Sequence, residues 1–170
     1  IPYNDDFNDR PPANIHIPSP EEEGNEWFHI FEQVFKEANQ DINEIMQIDN
    51  SQKRKTIIKS VEKNLNKTLT ESWNKFKLTK TMGNINISLD LNTETRNLNI
   101  SIEENINKED YFFEIDDRSK GFIWYYNFIM KTKYNSKSSS DEKNMIFLLD
   151  EPGSYLHFAA QDQLCEKIRD

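Results

Sequence analysis

MIFLLDEPGSYLH, residues 145–157, says more about fold and chemistry than any other part of this sequence. Five apolar residues, Met145, Ile146, Phe147, Leu148 and Leu149, run into two adjacent carboxylates, Asp150 and Glu151, and Pro152-Gly153 follows at once. So short an apolar run, closed by a break, predicts a central parallel strand buried on both faces rather than a helix. Pro152 ends that strand, so both carboxylates should emerge at its C-terminal edge, where ligands bind in open α/β sheets. One carboxylate there can hold Mg²⁺, directly or through water, while its neighbour orients an attacking water. The plainer reading is a buried strand that ends in a solvated acidic turn.

The segment upstream, YFFEIDDRSKGFIWYYNFIMKTKY over residues 111–134, adds weight to the first reading. It predicts a short strand over 111–115, a turn through Asp116, Asp117 and Arg118, and a helix from about Ser119. Phe122, Tyr125, Tyr126, Ile129 and Met130 recur at helical spacing. Ser119 is a natural N-cap, and Gly121 lets another backbone approach closely. Free N–H groups at a helix start, with a serine hydroxyl beside them, make a ready phosphate site. Alone, Ser119-Lys120-Gly121 is more often an ordinary capped helix. Its place, one helix and one Ser- and Lys-rich linker (135–142) before an acidic strand of the Walker B kind, is what points to nucleotide chemistry.

Together, RSKGFIWYYNFIM (118–130) and IFLLDEPGSYLH (146–157) resemble the second half of an ABC-type ATPase head. The likeness is to the OLD-like (overcoming-lysogenisation-defect) bacterial ATPases, with SMC and RecF-type heads as more distant relatives. It covers residues 111–170. The resemblance implies an α/β fold with α+β elements, a partial ABC-type ATPase head. Its parts would be a helical hairpin, a small antiparallel β-hairpin, a signature helix and a buried Walker B strand. By position, Arg118, Ser119, Lys120 and Gly121 match the signature motif, which contacts the γ-phosphate of ATP held by an opposing head. Asp150 matches the magnesium-associated aspartate and Glu151 the catalytic glutamate that polarises water. Gly153 to His157 match the D-loop, which crosses the dimer interface. The implied cofactors are ATP and Mg²⁺. The implied partners are a second ATPase head, as a homo-oligomer, and a nuclease or other effector subunit in bacterial anti-phage defence or DNA processing.

The departures narrow this expectation. Transporter ATPases carry Leu-Ser-Gly-Gly-Gln where this chain has Arg118-Ser119-Lys120-Gly121, which argues against a transporter subunit. No Gly-x-x-x-x-Gly-Lys-Ser/Thr occurs, and the four glycines (Gly24, Gly83, Gly121, Gly153) are not spaced to build a P-loop. No histidine switch follows the D-loop match, and His157 falls inside it. The sequence therefore reads as a piece of something longer, unable to complete an ATP site alone.

Composition agrees with a partial head. A length of 170 residues suits one domain, and 35% hydrophobic with 12% aromatic residues suffices for a modest core. Neither a signal peptide nor a run of about 18 apolar residues is found, so a cytoplasmic protein with no membrane contact is expected. The single cysteine, Cys165, excludes an internal disulfide and a Cys-based zinc site. His16 and His29 lack neighbours at ligand spacing, so no metal beyond Mg²⁺ is assigned.

The rest divides coarsely. Residues 1–18 hold four of the six prolines and predict an extended connection over the surface. Residues 19–80 predict a helical hairpin. Ser19-Pro20-Glu21-Glu22 is a helix start, and Trp27, Phe28, Phe31, Val34, Phe35, Ala38, Ile42 and Ile45 extend one amphipathic helix to about Met46. A second helix is expected over 51–77, with Ile57, Ile58, Val61, Leu65, Leu69, Trp73 and Phe76 on one face. Residues 81–116 predict antiparallel strands: 84–91 and 97–102 alternate, with Ile85, Ile87, Leu89, Leu91, Leu98, Ile100 and Ile102 inward, joined by a loop over 92–96. Residues 117–170 would then hold the signature helix, Walker B strand, D-loop and a following helix.

Charge leaves further readings open. Residues 51–80 carry nine basic side chains against Glu62 and Glu71, net +7, on a chain of formal charge −9. Such a helix can meet a nucleic-acid backbone, but a solvated Lys-rich face is the commoner meaning. No aromatic residues interleave there to stack bases. An SMC- or RecF-like repair ATPase would use Lys53, Arg54 and Lys55 on DNA. A non-catalytic interaction module would keep the fold and dispense with turnover.

Overall fold

The structure, a computed structural model, describes residues 11–75, 84–106, 109–134 and Gln161. It is an α+β arrangement, helices over a small antiparallel sheet. In chain order the elements are β1 (Asn14–His16), α1 (Glu26–Glu37), α2 (Ile42–Met46), α3 (Ser51–Lys75), β2 (Asn84–Asn92), β3 (Asn97–Ile106), β4 (Glu109–Phe113), a 3₁₀ turn (Ile115–Asp117) and α4 (Lys120–Lys133).

The hairpin of β2 and β3 forms as the alternation predicts. Asn84 pairs with Asn105 at one end and Asn92 with Asn97 at the other. Ile85, Ile87, Leu89, Leu98, Ile100 and Ile102 are buried on one face, whereas Asp90, Asn99 and Asn105 on the other are exposed. Period-two alternation leaves no other register that buries all six. Asn92 shapes the turn by accepting from the N–H groups of Glu94 and Thr95, both at 3.0 Å.

β3 is the centre of the sheet. β2 lies along one side of it, and β1 and β4 share the other, β1 against residues 97–99 and β4 against 102–106. Residues 11–18, expected as a surface connection, are extended but not superficial: Ile15 and Ile17 are buried. Arg96 explains the capture, donating from Nε to Ile17 O at 2.9 Å and from Nη2 to Pro18 O at 2.6 Å. β4 runs two residues earlier than the predicted 111–115, and Ile115 opens the 3₁₀ turn.

The helix expected from Ser19 to Met46 is instead a turn and two helices. Ser19 N–H does donate to the Glu22 carboxylate at 2.8 Å, but around an isolated turn. α1 starts six residues later, where Asn25 Oδ1 accepts from Phe28 N–H at 2.8 Å. Gly24 is needed just before it: a Cβ there would lie 2.2 Å from the Phe28 ring. The same helix stops at Glu37 because Asn39 adopts a left-handed φ of 56° and Gln40 N–H turns back to Phe35 O. Asp41 then caps α2. Ile42 and Ile45 keep the helical spacing across the break, which is why periodicity alone does not reveal it. α3, by contrast, starts at Ser51 as expected and runs to Lys75, with Asn50 as its cap.

One core joins these parts. The aromatic face of α1 (Trp27, Phe28, Phe31, Phe35), the aliphatic face of α3 (Ile58, Val61, Leu65, Leu69), the inner face of the sheet and most of α4 form a single buried cluster. Among the described residues no helix is long and apolar enough to cross a membrane.

Candidate functional site

α4 begins where the sequence places its start. Ser119 is the N-cap, its Oγ accepting from Phe122 N–H at 3.3 Å, and its carbonyl accepts from Ile123 N–H at 3.0 Å. Ser119 and Lys120 are exposed, while Gly121 and Phe122 turn inward. Phe122, Tyr125, Tyr126, Ile129 and Met130 are all buried, and Trp73 of α3 packs edge-on against Phe122, 5.2 Å between ring centres. Apolar contacts thus hold the helix fast and leave its capping residue at the surface.

Arg118, one residue before the cap, is turned inward. Its Nη1 donates to Glu104 Oε2 at 2.7 Å, and both side chains are largely buried, 13% and 7% exposed. The guanidinium lies over two rings, 5.3 Å from the centre of Phe113 and 5.9 Å from that of Phe122. Such a cation pairs with carboxylate and π faces together. Its buried Nε has no hydrogen-bond partner among the described residues. The ion pair fastens β3 to the turn that presents Ser119. Glu104 is the residue that sequence reasoning missed. It sits at an inward position of β3, beyond the alternating apolar run, and only the odd placement of a carboxylate at that phase could have flagged it.

Of the other residues singled out by sequence, Asp150, Glu151, Gly153 and His157 lie outside the described residues. Among the described residues no group of three His, Cys, Asp or Glu side chains converges as a metal site.

The basic helix meets the sheet through polar contacts. Glu62 of α3 accepts from Leu89 N–H at 2.7 Å and from Lys59 Nζ at 2.7 Å, so one of its lysines is already neutralised. Arg54 donates to Ile48 O through Nη1. An open groove of about 320 Å³ lies between the start of α3 and β2, lined by Ser51, Arg54, Lys55, Ile58, Lys59 and residues 88–91.

A third polar cluster lies at the far end of α4. Lys133 Nζ bridges Glu37 Oε1 at 2.7 Å and Thr68 Oγ1 at 2.9 Å. Burial would raise the Glu37 carboxyl, but Lys133 and Tyr134 beside it hold it below its ordinary range. Burial pushes the Tyr126 phenol far up, with Tyr134 nearby adding to the effect.

Compared with protein-family models, curated proteins and solved structures, the chain has no match.

Proposed function

We propose that this chain is the signature-plus-Walker-B part of an ABC-type ATPase, of the OLD-like kind, that hydrolyses ATP between two heads. The observation that carries the reading is the exposed, serine-capped start of α4, braced from behind by the Glu104–Arg118 pair. It is joined to the sequence of the acidic strand at Asp150-Glu151. A helix start favours negative charge through its N–H groups and dipole. Ser119 Oγ already accepts from the backbone, so its hydroxyl proton is the part left to donate to a phosphoryl oxygen.

The fit to ATP is partial. Ser119 and Lys120 would face the γ-phosphate from the opposing head, while Arg118, committed to Glu104, would support the turn. Asp150 would hold Mg²⁺, and bound MgATP would supply the phosphoryl group. Glu151 would orient water, with the P-loop coming from elsewhere. The effector would be a nuclease or similar subunit, and the setting cytoplasmic. Nucleic acid, if touched, would meet Lys53, Arg54 and Lys55.

Glu151→Gln in the full natural product tests this. Turnover should fall at least about a hundredfold while ATP-dependent association of heads survives. Full turnover in that variant would remove Glu151 from the mechanism. No turnover even in the parent would favour the second reading, a non-catalytic interaction module, for which the aromatic side chains exposed on β4, Tyr111 and Phe112, speak.

A further inference from the structure

Phe112 is the most exposed large apolar side chain among the described residues, at 63%. It projects from β4 on the outer face of the sheet, directly across from Glu103 of β3. Asp110 lies two residues before it on the same strand phase, and Glu114, just past the end of β4, caps the 3₁₀ turn. None of these three carboxylates takes part in an ion pair among the described residues. Asp110 accepts from Asn105, and Glu114 from the backbone of the 3₁₀ turn. β4 pairs with β3 on one side, and among the described residues no strand occupies its other side.

The inner face of the same two strands shows what such a constellation holds. There the next carboxylate, Glu104, and the next ring, Phe113, receive the Arg118 guanidinium, with a 2.7 Å contact to the carboxylate and 5.3 Å to the ring centre. The outer face repeats the ingredients, Glu103 beside Phe112 with two more carboxylates, and among the described residues no cation is paired with them. An exposed ring ringed by acid repels nucleic acid and acidic surfaces, and favours a guanidinium that can stack and pair at once.

We propose that the outer face of β4 binds an arginine-bearing extended segment of a protein partner, added alongside β4 as a further strand. Its arginine lies over Phe112 and pairs with Glu103, Asp110 or Glu114. Backbone pairing along the edge that no described strand occupies supplies the remaining affinity, and the carboxylates set the specificity. This surface is independent of the Ser119 turn, so the proposal stands or falls apart from any ATPase activity.

The test uses a short capped peptide alternating arginine with valine, titrated into the protein and followed by amide chemical shifts and calorimetry. Shifts should concentrate on residues 109–114 and 102–105, and affinity should drop as salt is raised. Phe112→Lys should weaken binding at least about tenfold, and Glu103→Gln or Asp110→Asn less steeply, all with unaltered unfolding curves. The same peptide with its outward amides N-methylated should bind at least about tenfold more weakly. No binding, equal binding to Phe112→Lys, or equal binding of a peptide with glutamate in place of arginine would overturn the proposal. So would sedimentation showing a parent dimer that Phe112→Lys converts to monomer, because a second copy would then own the surface.

Discussion

Asn66 and Ile87, twenty-one residues apart, are joined at two points: Ile87 N–H donates to Asn66 Oδ1 at 2.6 Å, and Asn66 Nδ2 donates to Ile87 O at 2.8 Å. A carboxamide has the same donor and acceptor as a peptide group, so Asn66 stands in for a neighbouring strand along β2. Glu62, one helical turn earlier, does the same for Leu89 N–H. A helix side chain row thereby closes an edge that would otherwise invite another chain.

Asn66→Ala should therefore cost about 2–3 kcal/mol, because it strands a half-buried donor and acceptor together. Urea unfolding measures the loss, and light scattering should show faster aggregation as the β2 edge opens. A variant as stable as its parent would mean that water satisfies Ile87 equally well.

The Glu104–Arg118 pair predicts an asymmetric cycle. Glu104→Ala leaves a guanidinium buried without its carboxylate and should cost about 3–5 kcal/mol. The double replacement Glu104→Leu with Arg118→Met should recover much of that loss, since it removes both charges and retains volume. A double-mutant cycle by chemical denaturation reads the coupling directly. Additive losses would mean the two side chains do not act as a pair.

Tyr126 carries a hydroxyl that is fully buried and has no hydrogen-bond partner among the described residues. Removing an unsatisfied polar atom should not destabilise, so Tyr126→Phe should be neutral or more stable by up to about 1 kcal/mol. Thermal unfolding distinguishes this from a loss, which would reveal a bridging water at that oxygen.

Glu37 sets a pH dependence. Burial opposes ionisation, yet Lys133 and the Tyr134 hydroxyl outweigh it and hold the folded-state carboxyl below its ordinary 4.5. A depressed carboxyl contributes its full stability above that ordinary value and loses it as pH falls through the folded value. Lys133→Met should flatten that acidic limb and leave stability less changed at its foot. An unaltered slope below pH 4.5 would mean other carboxylates carry it.

Legibility followed the range of the interaction. The β2–β3 hairpin and the start of α4 were readable because alternation and an N-cap are local signals, expressed within a few residues. The break at Asn39 was not, since Ile42 and Ile45 keep step with the helix before it. β1 was hidden for a different reason: three residues in a Pro-rich stretch show no pattern until Arg96, eighty positions on, grips the adjacent carbonyls. In the candidate site, Ser119 declared itself by composition, whereas Arg118 gave no hint that its charge is spent on Glu104.

The amino-acid order by itself determined the apolar face of the hairpin and of α3, because burying apolar side chains admits one phase per element. α4, by contrast, is buried on more sides than its spacing marked, Ile123, Trp124 and Phe128 included. It also marked Ser119 as a cap and set Asp150 and Glu151 together after an apolar run. Tertiary structure alone decided the polar pairings, Asn66 with Ile87, Glu62 with Leu89 and Glu104 with Arg118. Such contacts depend on where distant elements cross, and a buried polar atom must take whatever partner that crossing brings within reach.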